Sequence, residues 1–157
     1  MEVMAALLIA LSSQATAAGA AARPPMVLFV CPHGAAKSVM ADAYFQKLAK
    51  ERGLIVRADA AGSEPQADLA TNVVAHLTKN GYAIPIAKPR GTTAADMTTA
   101  DVVVSMGSDL SKLPPARGEL KQWDVPDFSA GFDQAEQAIR LRVTALVDEL
   151  MAKQKRK

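Results

Sequence analysis

The sequence predicts an α/β fold in which helices cover both faces of a four-stranded parallel sheet. Short apolar runs, of the kind that form buried strands, alternate with amphipathic segments of helical period. Glycine, proline and helix-capping residues separate these segments, and the sequence contains neither an internal repeat nor a long linker. Such alternation implies βαβ units, and ligands bind sheets of this type in the crevice at the carboxyl ends of the strands.

The first half of the folded chain contains two predicted strands and two predicted helices. Residues 26–30 (MVLFV) form an apolar, partly β-branched run that is typical of a buried strand. Residues 38–53 form a helix between a serine and a glycine stop, and residues 54–62 (LIVRADAAG) supply the second strand. The second helix covers residues 65–80, because proline is tolerated in a first turn and Asn-Gly ends a helix. The apolar stripes of these helices are Met40, Tyr44 and Leu48, and Leu69, Val73 and Leu77.

The second half contains two more of each element. Thr93 and Asp96 can cap a short helix, which precedes a third strand at residues 101–106 (DVVVSM). Residues 120–125 (LKQWDV) are a plausible fourth strand. A carboxylate pair can cap the start of a last, long helix. That pair is Asp133 and Glu136, and the apolar stripe of the helix is Ile139, Val143, Leu146 or Val147, and Leu150.

The N-terminal segment is predicted to be separate from the domain. Residues 3–11 (VMAALLIAL) form an apolar core of the length found in secretory leaders, too short to span a bilayer. Residues 15–17 and 18–20 both offer the small-x-small pattern that a signal peptidase accepts. We therefore expect residues 1–22 to be a signal peptide, with export to the periplasm or medium and no stable membrane insertion after its removal. The first residues carry an acid and no basic residue, so a disordered Ala-rich leader and a cytoplasmic location remain the alternative.

Composition excludes several functional classes for the remaining single domain, residues 23–157. The formal net charge is only +2 and the basic residues are scattered, so we expect no nucleic-acid partner. The chain has one cysteine, which excludes an intramolecular disulfide. We expect no metal and no cofactor, and the sequence does not indicate an oligomeric state.

The candidate chemistry lies at the junction of the first strand and the first helix, in residues 31–38 (CPHGAAKS). The unpaired N–H groups of a helix N-terminus bind anions, and the same end of the dipole stabilises a thiolate. Ser38 could add a hydrogen bond to the sulfur of Cys31. The sequence therefore predicts a nucleophilic Cys31 beneath an anion-binding loop, which suggests attack on phosphorus or arsenic. The residues of this anion-binding loop are Pro32, His33, Gly34, Ala35 and Ala36.

At these residues the sequence resembles the low-molecular-weight protein tyrosine phosphatases and the thioredoxin-coupled arsenate reductases that share their fold. The mark of that group is an apolar strand followed by Cys, five residues, Arg and Ser or Thr. This chain has Cys31, five residues, Lys37 and Ser38. The likeness continues in residues 60–65 (AAGSEP), 87–109 and 123–128 (WDVPDF). It covers roughly residues 26–152, so we expect a low-molecular-weight phosphatase-like fold.

The resemblance implies a cysteine-dependent phosphatase that hydrolyses phosphomonoesters, including protein phosphotyrosine, through a phosphocysteine on Cys31. Lys37 and the loop amides would hold the oxyanion, and Ser38 would support the thiolate. Asp127, four residues after Trp123, would protonate the leaving oxygen and then activate water, with Asp124 as the rival assignment. The expected ligands are phosphate, arsenate or a phosphorylated substrate.

Three departures from the family pattern keep an alternative function open. Lys37 stands where the family has arginine, which keeps the charge but loses the planar fork. His33-Gly34 replaces Gly-Asn, and Phe128 replaces the proline after the acid, so we expect a less rigid acid loop. The alternative is a non-catalytic relative that binds an oxyanion or phospho-ligand, or an arsenate reductase-like protein that uses an external thiol.

Overall fold

The computed structural model describes residues 23–157, which form four strands and four helices. The elements are β1 (Met26–Cys31), α1 (Lys37–Glu51), β2 (Arg57–Gly62), α2 (Thr71–Lys79), α3 (Ala94–Thr99), β3 (Val102–Ser105), β4 (Glu119–Gln122) and α4 (Phe132–Lys155). Neighbouring strands are parallel, and their order is β2-β1-β3-β4. This architecture confirms the predicted fold class.

The predicted leader, residues 1–22, lies outside the described residues. In the part of the chain that the structure does describe, no helix combines the length and apolar character needed to cross a membrane.

β1 is an interior strand whose two faces are both covered. Val27, Phe29 and Cys31 pack with the buried side chains of α1 and α4, whereas Leu28 and Val30 pack with those of α3. Alternate residues of a strand point to opposite faces, which explains why an uninterrupted apolar run suits this position. Cys31 therefore ends β1 on the side of the sheet that α1 covers.

The sequence signals at helix ends agree with the structure. Gly53 follows α1 with φ 68°, and Gly81 follows α2 with φ 76°, the left-handed conformation that favours glycine. Thr93 and Asp96 form the expected capping box at α3, each side chain accepting a hydrogen bond from the other residue's backbone amide. Short-range chemistry is sufficient to define these boundaries.

α2 begins later than the sequence predicts. It starts at Thr71 rather than near Pro65, because the preceding residues bond elsewhere. The amides of Ser63, Glu64 and Gln66 donate to carbonyl oxygens of the last residue of β1 and of the loop that follows it, at 3.2, 2.7 and 3.2 Å. The chain between β2 and α2, here called the bracing segment, thus holds that loop in place instead of forming a helical turn.

The strands are shorter than, or offset from, the runs that predicted them. β2 begins at Arg57 rather than at residue 54, because the amide of Leu54 donates to the Ala49 carbonyl at 2.9 Å and turns the chain out of α1. β3 loses one residue at each end of its run, and β4 stops at Gln122.

The predicted cap of α4 is wrong. Gly131 occupies the N-cap position and no side chain makes a capping hydrogen bond, although Asp133 lies in the first turn. Glu136 instead accepts a hydrogen bond from the Tyr44 hydroxyl of α1, at 2.8 Å. Glu136 therefore makes a long-range contact with α1 instead of the local capping hydrogen bond that the sequence predicts.

Candidate active site

The candidate nucleophile lies where β1 meets α1. Cys31 is the last residue of β1 and is only 3% exposed. Its Sγ lies 3.1 Å from Oγ of Ser38, a buried residue in the first turn of α1. At this distance the hydroxyl can donate to a thiolate, and the N-terminus of α1 adds the positive end of its dipole. The fold therefore brings the predicted pair Cys31 and Ser38 together.

The anion-binding loop is tied to the protein through its carbonyl groups. The oxygens of β1's last residue and of three loop residues accept hydrogen bonds from amides between β2 and α2. These pairs, acceptor first, are Cys31 with Ser63 (3.2 Å), Pro32 with Glu64 (2.7 Å), His33 with Gln66 (3.2 Å) and Ala35 with Ala70 (3.0 Å). The loop carbonyls are thereby held toward the segment that precedes α2.

The same bonds determine where the loop amides point. In a trans peptide the N–H points opposite to the preceding C=O, and the described residues contain no cis peptide. The amides of His33, Gly34 and Ala36 therefore point away from the bracing segment. Within residues 23–157, no amide from His33 to Val39 donates to a backbone oxygen. Unpaired amides at a helix N-terminus are the donors that cradle a phosphate group.

Two glycines allow the loop to approach β2 closely. Gly34 has φ 61°, and a Cβ built on it would lie 2.7 Å from the Gly62 backbone nitrogen. A Cβ on Gly62 would lie 2.6 Å from the Gly34 nitrogen, so neither position has room for a side chain. Gly62 is not among the site residues that the sequence predicts. The feature of the sequence that could have indicated it is the position of this glycine at the end of the second predicted strand.

Lys37 connects the loop to the segment of residues 125–128, here called the acid segment. Its Nζ donates to the Val125 carbonyl at 3.0 Å and lies 2.6 Å from Oδ1 of Asp127. The Lys37 side chain is largely buried, whereas that of Asp127 is 76% exposed. The hydrogen bond and charge of Lys37 lower the pKa of Asp127, and the charge of His33 lowers it further. Asp127 is thus held as a carboxylate at the rim of the loop.

The two candidate aspartates differ in their surroundings. Asp127 contacts Lys37, whereas Asp124 is exposed and makes no hydrogen bond or ion pair with another of the residues 23–157. His33 is exposed at the rim of the loop, on the side where its charge acts on Asp127. Of the two candidate aspartates, Asp127 is therefore the one that contacts the residue directly after the anion-binding loop.

α1 contains a buried carboxyl group that was not predicted from the sequence. Asp42 lies one turn after Ser38, is fully buried, and its Oδ1 accepts a hydrogen bond from Gln46 at 2.7 Å. Its Oδ2 is buried without a partner among the described residues. Loss of hydration on burial raises the pKa of Asp42 to about 7, although the Gln46 bond acts in the opposite direction. The available signal was an acid inside the otherwise apolar run VMADAYF.

Comparison with known proteins agrees with this fold. Residues 26–156 match the sequence profile of the family described as low molecular weight phosphotyrosine protein phosphatase. A low molecular weight phosphotyrosine phosphatase from Vibrio cholerae is 21% identical, with a TM-score of 0.73, over 82% of this chain and 98% of that one. At that level of identity the likeness concerns the fold.

Two solved arsenate reductases are also similar. A thioredoxin-dependent arsenate reductase from Corynebacterium glutamicum is 25% identical, with a TM-score of 0.73, over 85% of this chain. The present chain spans 65% of that protein, less than two thirds of its length. An arsenate reductase from Archaeoglobus fulgidus is 28% identical, with a TM-score of 0.62, over 78% of this chain and 98% of that one.

Proposed function

Because the chain belongs to the low molecular weight phosphotyrosine protein phosphatase family, we propose that it hydrolyses phosphomonoesters through a phosphocysteine intermediate on Cys31. The observation that carries this proposal is the 3.1 Å contact between Cys31 Sγ and Ser38 Oγ at the N-terminus of α1. A purely anion-binding protein requires the amides of the loop but neither a thiolate nor a hydroxyl that supports it.

In the first step the Cys31 thiolate attacks phosphorus. The S–P bond forms, the bond to the ester oxygen breaks, and that oxygen takes a proton from the Asp127 carboxyl as it leaves. The unpaired loop amides stabilise the charge on the other phosphoryl oxygens, and the Lys37 ammonium contributes to this stabilisation. The product of this step is a phosphocysteine and an alcohol or phenol.

In the second step water attacks the phosphocysteine. Asp127 accepts a proton from the water, the S–P bond breaks, and inorganic phosphate and the thiolate are released. The Lys37 contact suits this base role, because it keeps Asp127 ionised. A phosphate dianion in the loop attracts Lys37 and repels Asp127, so substrate binding favours the protonated Asp127 that the first step needs.

A second candidate function is supported by the same lysine. Lys37 Nζ is engaged with Val125 and Asp127, and an ammonium cannot grip two phosphoryl oxygens as a guanidinium does. This favours a protein that binds phosphate, arsenate or a phosphorylated partner without turnover. An arsenate reductase-like activity would need an external thiol, because the chain has one cysteine.

Hydrolysis of an aryl phosphate by wild type, Cys31→Ser and Lys37→Arg tests the proposal. We expect turnover in wild type, none in Cys31→Ser, and faster turnover in Lys37→Arg. If only Lys37→Arg shows cysteine-dependent turnover, the natural protein is a binder. If wild type is inactive on phosphate esters but reduces arsenate when a small thiol is supplied, the reductase alternative is correct.

We also propose that residues 1–22 direct export, on the basis of the apolar run 3–11 and the small residues that follow it. N-terminal sequencing of the protein isolated from its own host tests this. A start between residues 18 and 23 is expected. An intact Met1 on cytoplasmic protein would contradict it.

A further inference from the structure

We propose that Phe128 is a positioning residue, which holds Asp127 at the rim of the anion-binding loop through its packing on Phe132. This inference deepens the proposed function, and it rests on that function only in the experiment that measures turnover. The sequence suggested that Phe128, in place of a proline, would leave the acid segment loose. The packing of this side chain points to a different means of fixing the segment.

The first observation is the contact of the acid segment with α4. The rings of Phe128 and Phe132 lie 4.9 Å apart between centroids, with an interplanar angle of 38°. Both side chains are partly buried and pack against the core cluster that contains Cys31. Phe132 is the first residue of α4, so this contact joins the residue after Asp127 to a 24-residue helix.

The second observation is that Phe132 is itself supported by two other helices. Its ring lies 5.0 Å from that of His76 in α2, and His76 Nε2 lies 3.0 Å from the Tyr44 hydroxyl in α1. Tyr44 donates to Glu136 Oε1 at 2.8 Å. Burial and the Glu136 contact raise the pKa of Tyr44, so it remains a donor. Through Phe132, Phe128 is therefore connected to α1 and α2 as well as to α4.

The third observation is that α1 contacts the chain from residue 125 to residue 136 at two points. Lys37 and Tyr44 are seven residues apart, which places them on the same face of α1, about 10 Å apart along its axis. Lys37 contacts Val125 and Asp127, and Tyr44 contacts Glu136. Phe128 packs between these points. The Lys37–Asp127 pair is a weak restraint by itself, because the Asp127 side chain is 76% exposed. The partly buried ring of Phe128 therefore supplies the further restraint on where Asp127 lies.

The test compares Phe128→Ala with Phe128→Tyr, which keeps the ring, and with Val147→Ala, a buried α4 position far from the acid segment. With an aryl phosphate, we expect Phe128→Ala to lower kcat about tenfold with little change in KM, because the anion-binding loop is untouched. Phe128→Tyr and Val147→Ala should retain the wild-type kcat. If Phe128→Ala fails to fold, Phe128→Leu takes its place.

A second readout does not require turnover. Titration of the Asp127 carboxyl carbon by NMR should show that Phe128→Ala moves the pKa of Asp127 up toward its ordinary range, as contact with Lys37 is lost. Phe128→Tyr and Val147→Ala should titrate like wild type. If Phe128→Ala titrates like wild type, the inference is overturned. If wild type lacks Cys31-dependent turnover, the proposed function fails, and the NMR titration still decides the role of Phe128.

Discussion

The Lys37 ammonium lies 2.6 Å from Oδ1 of Asp127 and also donates to the Val125 carbonyl, at 3.0 Å. The residue that stands in place of the family's arginine thus connects the first turn of α1 to the acid segment. One consequence is electrostatic, because the pair holds Asp127 as a carboxylate. The other is geometric, because Lys37 contacts two residues of the acid segment.

The contact with Lys37 lowers the pKa of Asp127, and this effect can be measured. Lys37→Gln keeps a polar side chain but removes the charge, so we expect the pKa of Asp127 to rise toward its ordinary range. NMR titration of the carboxyl carbon measures this. Lys121→Gln, which removes a cation paired with Glu119 and Glu149, is the matched control and should leave Asp127 unchanged. An unchanged titration in Lys37→Gln would show that the ion pair does not form in solution.

The close approach of Gly34 and Gly62 is predicted to be essential for the anion-binding loop. A Cβ at Gly34 would meet the Gly62 nitrogen at 2.7 Å with φ at 61°, so Gly34→Ala must shift the loop. We expect a loss of about 2 kcal/mol or more in the free energy of unfolding, together with loss of phosphate binding. Urea unfolding and calorimetric titration with phosphate measure the two effects.

Gly53→Ala supplies the control for that experiment. Gly53 also has a positive φ, 68°, but a Cβ there has nothing within 4 Å. We expect a cost of only about 1 kcal/mol and unchanged phosphate binding. Equal effects of the two substitutions would mean that backbone strain, and not the contact with Gly62, explains the loss.

The buried carboxyl of Asp42 should make stability depend on pH. Burial raises the pKa of Asp42 to about 7, from about 4 for an aspartate in water, so between these values the folded state binds more protons than the unfolded state. The free energy of unfolding should therefore fall as pH rises from about 4 to about 7. Asp42→Asn keeps an oxygen for the Gln46 contact and should be more stable than wild type by a few kcal/mol above pH 7.

The measurement for Asp42 is urea unfolding of wild type and Asp42→Asn at a series of pH values. The difference in unfolding free energy between the two proteins should grow with pH over this interval and then level off. Gln46→Ala should destabilise the protein at high pH, where Asp42 is ionised and accepts the hydrogen bond. A difference that does not vary with pH would contradict a raised pKa.

The Ser38 hydroxyl is predicted to support the reactive form of Cys31. Ser38→Ala removes the neighbour at 3.1 Å from Sγ, so alkylation of Cys31 by iodoacetamide at pH 7 should slow about tenfold, the effect of one hydrogen bond to a charged group. Ser105→Ala is the control, because Ser105 is an equally buried serine on β3 whose hydroxyl accepts from the Ser108 amide. Equal rates in Ser38→Ala and wild type would exclude this support.

The features that could be predicted from the sequence are those that short-range chemistry determines. The MVLFV run fixes β1, the glycine at 53 ends α1, and the Thr93–Asp96 box starts α3. The position of Cys31 follows from the same local signals, because a strand must stop before a helix begins.

The features that could not be predicted depend on contacts between distant residues. α2 starts late because Ser63, Glu64 and Gln66 brace the loop. Glu136 is not a cap, since it bonds to Tyr44, 92 residues away in the chain. The packing of Phe128 on Phe132 is close in sequence, but its partners in α1 and α2 are not. Local patterns carry no information about such pairings.

Rapid-quench trapping of the phosphocysteine intermediate tests the central claim most directly. Wild type mixed with an aryl phosphate and quenched in milliseconds should carry one phosphoryl group, which peptide mass spectrometry places on Cys31. Cys31→Ser should carry none and show no turnover. Turnover that continues in Cys31→Ser, or that proceeds in wild type with no phosphoryl group on Cys31, would contradict the account.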